Sequence, residues 1–173
     1  FDSVDPRLFV SFKATDDINI YASAGSGFRS GGFNQGALPN YQPEQLVSYE
    51  LGSKGVLAGG TLAFEVAVFY SDYEDMLRRQ LILNPDATTT QLTSNIGETE
   101  VKGAELGLTL RATDQLTLNA TAAYMDSEIV SGSVEDATNY AGDPVNYVPE
   151  FSYTMGANYN FDLCVTIPAF FRL

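Results

Sequence analysis

Twenty-two Asp and Glu against nine Lys and Arg set the chemistry open to this sequence. The acids gather in short runs, Asp72-x-Glu74-Asp75, Glu98-x-Glu100 and Asp126-x-Glu128, each where an alternating apolar segment gives way to polar residues. Carboxylate oxygens at such spacing suit a divalent cation, either structural calcium or ions shared with anionic headgroups. Solvated strand extensions explain the same residues more simply. Arg29, Arg78 and Arg79 are the complementary feature, guanidinium groups suited to an anion, with solvated surface charge as the plainer account. Catalysis finds little support. There is no histidine, which removes the commonest general base and metal ligand together. Gly25-Ser26-Gly27 with Gly31-Gly32 lacks the Lys-Ser/Thr of a phosphate cradle, and Ser26 lacks the spacing of a nucleophile elbow. The single Cys164 leaves no internal disulfide and no cysteine-rich zinc site. A formal charge of -13 argues against nucleic acid, since nothing here neutralises a run of phosphates. The expectation is a binding or structural chain, not an enzyme, with no cofactor and no metal.

The elements that position these residues read as strands. Val47, Tyr49 and Leu51 alternate with Ser48, Glu50, Gly52 and Lys54, a period of two that no helix satisfies. The same alternation runs through Leu8–Ala14, Ile18–Ala24, Leu62–Tyr70, Ala104–Leu110, Leu116–Tyr124 and Phe151–Phe161, seven strands in all. Short polar turns at Asp16-Asp17, Ala58-Gly59-Gly60 and Thr113-Asp114-Gln115 alternate with long loops at Gly27–Glu44, Asn84–Asn95 and Ser131–Asn146. Outer-membrane barrels have this bookkeeping, with short turns on one side and long loops on the other. Leu62–Tyr70 also has the right length: about nine residues at ~3.3 Å, tilted about 40°, rise on the order of 23 Å. Tyr49, Tyr70, Tyr124 and Tyr153 all fall at the long-loop end of their strands with the apolar parity, as an aromatic girdle requires. The opposite parity is polar, with Glu50, Lys54, Glu65, Glu105, Arg111, Asn119 and Asn158. No run of about 18 apolar residues is present, but barrel strands need none. The fold expected is all-β, a segment of an antiparallel transmembrane β-barrel with seven to eight up-and-down strands, open and curved because the barrel is incomplete.

Several motifs then point one way. Tyr41-x-Pro43-Glu44 leads into Ser48-Tyr49-Glu50-Leu51-Gly52-x-Lys54, preceded by Gly27-Phe28-Arg29-Ser30-Gly31-Gly32-Phe33-Asn34. Asn95-Ile96-Gly97 follows with Val101-Lys102-Gly103-Ala104-Glu105-Leu106, and Val148-Pro149-Glu150 leads into Phe151. In order and spacing, from Pro6 to Phe161, the chain resembles the barrel domain of TonB-dependent outer-membrane receptors. The resemblance implies active uptake of a scarce ligand, usually a ferric siderophore, across the cell outer membrane of a Gram-negative bacterium. It implies outer-membrane lipid and lipopolysaccharide as surroundings and the TonB complex as a partner acting through a plug domain that this sequence does not contain. The later part of the barrel is expected, a piece beginning at Phe1 rather than Met, with residues 1–163 as partial barrel and 164–173, containing Pro168, as a truncated or aberrant strand end. Arg29, Phe33, Asn34 and Tyr41, in the first long loop, are the ligand-binding candidates by residue type and position.

Two other classes share the alternation. A small passive porin or adhesin-like barrel needs the last residues to pair with the first strand, which Pro168 opposes. A soluble carbohydrate-binding β-module needs a second sheet over the apolar parity, and it would stay monomeric without detergent. The incomplete barrel instead exposes two unpaired edges and aggregates in water.

Overall fold

The computed structural model describes residues 3–36, 38–132, 140–164 and 167–172. Ten strands are present among them: β1 (Arg7–Lys13), β2 (Ile18–Arg29), β3 (Glu44–Leu57), β4 (Leu62–Glu74), β5 (Leu77–Leu83), β6 (Thr89–Asn95), β7 (Glu98–Arg111), β8 (Leu116–Ser131), β9 (Phe151–Cys164) and β10 (Ile167–Arg172). Eight form one antiparallel sheet in the order β1-β2-β3-β4-β7-β8-β9-β10, while β5 and β6 make a separate hairpin. The sheet is an up-and-down meander with β1 and β10 as its edges, so it does not close on itself. The closed small barrel is thereby ruled out for this sheet.

Two of the short turns are the same device. Ala14-Thr15-Asp16-Asp17 and Ala112-Thr113-Asp114-Gln115 each fold so that the alanine and threonine amides donate to the carbonyl of Ile18 or Leu116. In each, the threonine Oγ1 accepts from the two amides that follow the aspartate, at 3.0–3.2 Å in the first turn and 2.9–3.2 Å in the second. A hydroxyl that replaces a missing ladder partner makes a four-residue turn stable without glycine. The third turn does need it: Ala58, Gly59 and Gly60 all have positive φ, of 52°, 65° and 97°.

Register separates two faces. One cross-strand row runs Val10, Ala22, Leu51, Val68, Ala104, Tyr124, Phe151, and the adjacent row on the other side runs Ser11, Tyr21, Gly52, Ala67, Glu105, Ala123, Ser152. The apolar row lies open: Leu51 is 54% exposed, Val68 51% and Met155, further along β9, 75%. Among the described residues only Ala67, Leu92, Ile96 and Ile129 are buried hydrophobics, in a chain that is 45% hydrophobic. Among the described residues no second sheet covers the apolar face, so the soluble-module reading loses its core. The polar face packs within itself. Tyr21 lies across its ladder partner Gly52, Phe69 across Gly103, and Asn119 across Gly156, leaving no room for a Cβ at any of the three glycines.

The structure departs from the sequence reading in two places. The paired strands run past the apolar alternation, β4 to Glu74 and β8 to Ser131, because backbone pairing continues where side chains turn polar. The expected loop at Asn84–Asn95 is instead the turn and second strand of the β5–β6 hairpin, with Asn84 N donating to Thr88 O at 2.8 Å. Asn84-Pro85-Asp86 is a turn signal, and the threonines after it favour an extended chain. Beyond β9, Ile167–Arg172 pairs along β9 with a register shift between Ile167 and Pro168. A proline cannot donate to the ladder, and such a break is where one is tolerated.

A charge placed on either face tests the assignment. Val68→Lys, at mid-height of the apolar face, is expected to cost about 2–4 kcal/mol in urea unfolding from lipid. Thr121→Lys, on the exposed polar face, should stay within about 0.5 kcal/mol; equal losses would mean both faces meet water.

Candidate functional site

At the long-loop end of the sheet three segments converge: residues 30–43, the β5–β6 hairpin, and residues 140–150. Side-chain amides tie the first two together. Asn34 Nδ2 donates to Thr93 O at 2.7 Å while its Oδ1 accepts from Thr93 N at 2.9 Å, as a neighbouring strand would. Asn34 Nδ2 also donates to Pro39 O at 2.7 Å. Asn95 does the same in reverse, accepting from Gln42 N at 2.7 Å and donating to Gln42 O at 3.0 Å. Glu44 Oε2 accepts from Leu77 N at 2.6 Å, fixing the start of the hairpin. Each amide supplies both groups that an open strand edge lacks.

The third segment folds down onto the end of β8. Ile129 N donates to Asp143 O and Gly142 N to Ile129 O, both at 2.9 Å. This seats Tyr140 and Val145, with Met76, around the buried pair Ile96 and Ile129. Gly97, at φ 89°, lies directly against the Ser131 backbone, and no side chain fits there. Beside this small core opens a cavity of about 350 Å³ lined by Arg29, Arg78, Arg79, Tyr147 and the two isoleucines. Arg78 stacks its guanidinium 4.4 Å above the Tyr140 ring, a cation–π contact. Arg29 shares the face of Tyr21 and Glu50, so this wall of the cavity lies at the long-loop end of the polar face.

The four ligand-binding candidates therefore part company. Arg29 lines the cavity, and Phe33 stands 82% exposed with no structural duty to explain it. Asn34 is committed to the hairpin, and Tyr41 is paired to Gly32 through two 3.0 Å backbone bonds with its ring lying on that glycine. Tyr140, Tyr147 and the docking role of Asn95 escape sequence reasoning, since only the fold of the loops creates their contacts. Tyr49 and Tyr70 are direct cross-strand partners, while Tyr124 lies level with Val68, two residues further down, and Tyr153 level with Val66, four residues down. Phe151, opposite Tyr124, extends the series. The acidic runs do converge in part, with Asp72 opposite Glu100 and Glu100 opposite Glu128. No group among the described residues is arranged to hold a metal ion. On the polar face Glu50, Glu65 and Glu105 surround Tyr21 in a second cavity of about 400 Å³.

An up-and-down sheet with one face open and the other polar is the wall of a transmembrane β-barrel. Residues 1–170 match the family model for the TonB dependent receptor-like β-barrel, and the chain belongs to that family. It is similar to the metal-pseudopaline receptor CntO of Pseudomonas aeruginosa, 28% identical over 156 residues, covering 90% of this chain and 21% of the relative. The probable TonB-dependent siderophore receptor PiuA of Acinetobacter baumannii is 29% identical over 175 residues, covering 91% of this chain and 22% of the relative. Among solved structures, the ferric yersiniabactin uptake receptor FyuA of Yersinia pestis superposes with a TM-score of 0.69 at 21% identity, over 90% of this chain and 23% of that one. This chain thus spans about a fifth of the curated relatives it matches. The family is one of outer-membrane receptors of Gram-negative bacteria.

Two predictions follow from the hydrogen bonds of the hairpin. Asn34→Ala and Asn95→Ala should each loosen it by about 1 kcal/mol, read as faster proteolysis within 77–95, whereas Phe33→Ala should leave that rate unchanged. At the hairpin tip the Asp86 carboxylate accepts from Thr88 Oγ1 at 2.6 Å and Thr88 N at 3.1 Å. These bonds hold its carboxyl below the usual carboxylate range. A depressed folded value means that the turn's stabilisation is present at neutral pH and lost as pH falls through that value. The Thr88 amide shift should report this acid transition, and Asp86→Asn should abolish it.

Proposed function

We propose that this chain forms wall and mouth of an active-transport receptor for a scarce ligand, a ferric siderophore, taken across the outer membrane by coupling to TonB. Family membership over residues 1–170 carries the reading. The name of PiuA, a probable TonB-dependent siderophore receptor, supports the ligand class. Residues 1–163 supply barrel wall, and 164–173 its irregular end. The apolar face meets outer-membrane lipid, with Tyr49, Tyr70, Tyr124 and Tyr153 as the girdle at the lipopolysaccharide level. On the inside, Glu50, Glu65 and Glu105 present negative charge to the plug, which transmits the pull of TonB. The ligand meets Arg29 and Phe33 first. Nothing in this cycle breaks or makes a covalent bond, so no catalytic residue is assigned.

Deleting the receptor gene should abolish high-affinity uptake of radiolabelled iron from the cognate siderophore, with restoration by the full-length gene. A protonophore should stop the restored uptake within minutes. Uptake that continues at full rate after the proton-motive force has collapsed would sink the active-transport reading.

A further inference from the structure

The apolar face of the sheet is uneven where it crosses the first four strands. Three successive cross-strand rows there each carry one small side chain, Ala24 in the first, Ala22 in the second and Ser53 in the third. The surface sinks with them: a depression of about 500 Å³ lies over the two alanines, and another of about 280 Å³ over Ser53. Leu51 and Val68 border both depressions, so the two join in one trough that passes from β2 to β3 as it descends the sheet. Leu8 and Val10 wall it on β1, while Ile20 and Val66 flank its lower end. The hydroxyl on its floor is already engaged, with Ser53 Oγ donating to Asn19 O at 3.2 Å.

Length and surroundings select the occupant. From the Tyr49–Tyr70 row to the Ser53–Val66 row is four residues of strand, about 13 Å. One leaflet supplies about 15 Å of a ~30 Å hydrocarbon core, so the trough takes most of one acyl chain laid along the wall. Tyr49 and Tyr70 face each other at its long-loop end, where a ring suits lipid and a hydroxyl suits the headgroup zone. Higher on the same face Asp72, Glu100 and Glu128 share one row, and Lys102 is paired with Asp126 at 3.1 Å. An anionic headgroup therefore meets carboxylates on this stretch of β4, β7 and β8, and what the wall can hold is the chain. The long-loop end of a barrel is its extracellular end, which assigns that chain to the outer leaflet.

We infer that the trough seats one acyl chain of a lipopolysaccharide molecule, held by shape against β1–β4 rather than by its phosphates. The inference rests on the reading of this face as the one that meets lipid. Full-length receptor from a strain with truncated lipopolysaccharide is first located by membrane fractionation, then extracted in mild detergent and weighed by native mass spectrometry. Outer-membrane receptor with lipopolysaccharide still bound is expected, and raising the salt should not release it, because no ion pair holds the chain. Ala22→Leu with Ala24→Leu, which fills the trough, should lower the retained number by one per receptor. Ala120→Leu, on the same face of β8 but outside the trough, should leave the number unchanged. If the double variant fails to assemble, judged by loss of heat-modifiable mobility, Ala22→Leu alone decides. A wild-type receptor that retains none, an unchanged number in the filled variant, an equal loss in Ala120→Leu, release by salt, or a phospholipid as the molecule lost would each overturn the inference while leaving the lipid-facing reading intact. Recovery of the receptor as a water-soluble protein would overturn both.

Discussion

A backbone amide in hydrocarbon has no water to bond with, and this one constraint governs the chain from Arg7 onward. Each N–H and C=O at membrane depth must find its partner on a neighbouring strand, which only a continuous ladder provides. The eight-stranded meander meets the demand for every internal strand, with twelve to fourteen register pairs between most neighbours. Once the ladder is set, the pleat decides the rest. Odd and even residues go to opposite solvents, and a slip of one residue would exchange them all. This is why lipid and lumen sides can be so different in chemistry although they are built from the same strands. It is also why the core is nearly absent: lipid does the work of a second layer, and the polar face closes its own gaps by laying Tyr21 and Phe69 over glycines.

Past Tyr70 and Tyr124 the constraint relaxes, and the architecture changes with it. Water now competes for every backbone group, so pairing alone no longer holds a segment in place. The β5–β6 hairpin stays docked because Asn34 and Asn95 imitate strand neighbours and because Ile96 and Ile129 find apolar cover from a distant loop. Burial and specific polar contacts do here what the ladder does below. A mouth assembled from three segments with separate attachments can present residues that are far apart in sequence, such as Arg29, Arg79 and Tyr147, to one small volume.

How much of this was legible in the sequence follows the same boundary. Inside the membrane zone the physics is local: alternation at Leu62–Tyr70 or Leu116–Tyr124 states which solvent each side chain meets, and strand order follows from short turns. The shared face of Tyr49, Tyr70, Tyr124 and Tyr153 is legible for that reason. Beyond Tyr70 and Tyr124 the alternation fades although the strands continue, so boundaries there were set too early. The β5–β6 hairpin has a local signal in Asn84-Pro85-Asp86, but its docking rests on Asn34 and Gln42, more than fifty positions away, and no periodicity encodes that. Asn34 looked like a ligand donor by type, and only its partner shows that both ends of its amide are already used.

Charge completes the account, and distance decides how. The lumen wall is acidic at Glu50, whose ladder partner Ser23 lies six residues below Arg29 on β2. Six residues of strand are about 20 Å, roughly twice the screening length in physiological salt. The carboxylates around Tyr21 therefore act only weakly on the mouth, where Arg29 has its own carboxylate, Glu44, directly across the β2–β3 ladder. Each zone of the polar face is thus set by its own immediate neighbours, and a strand such as β2 carries two different charge environments along one face.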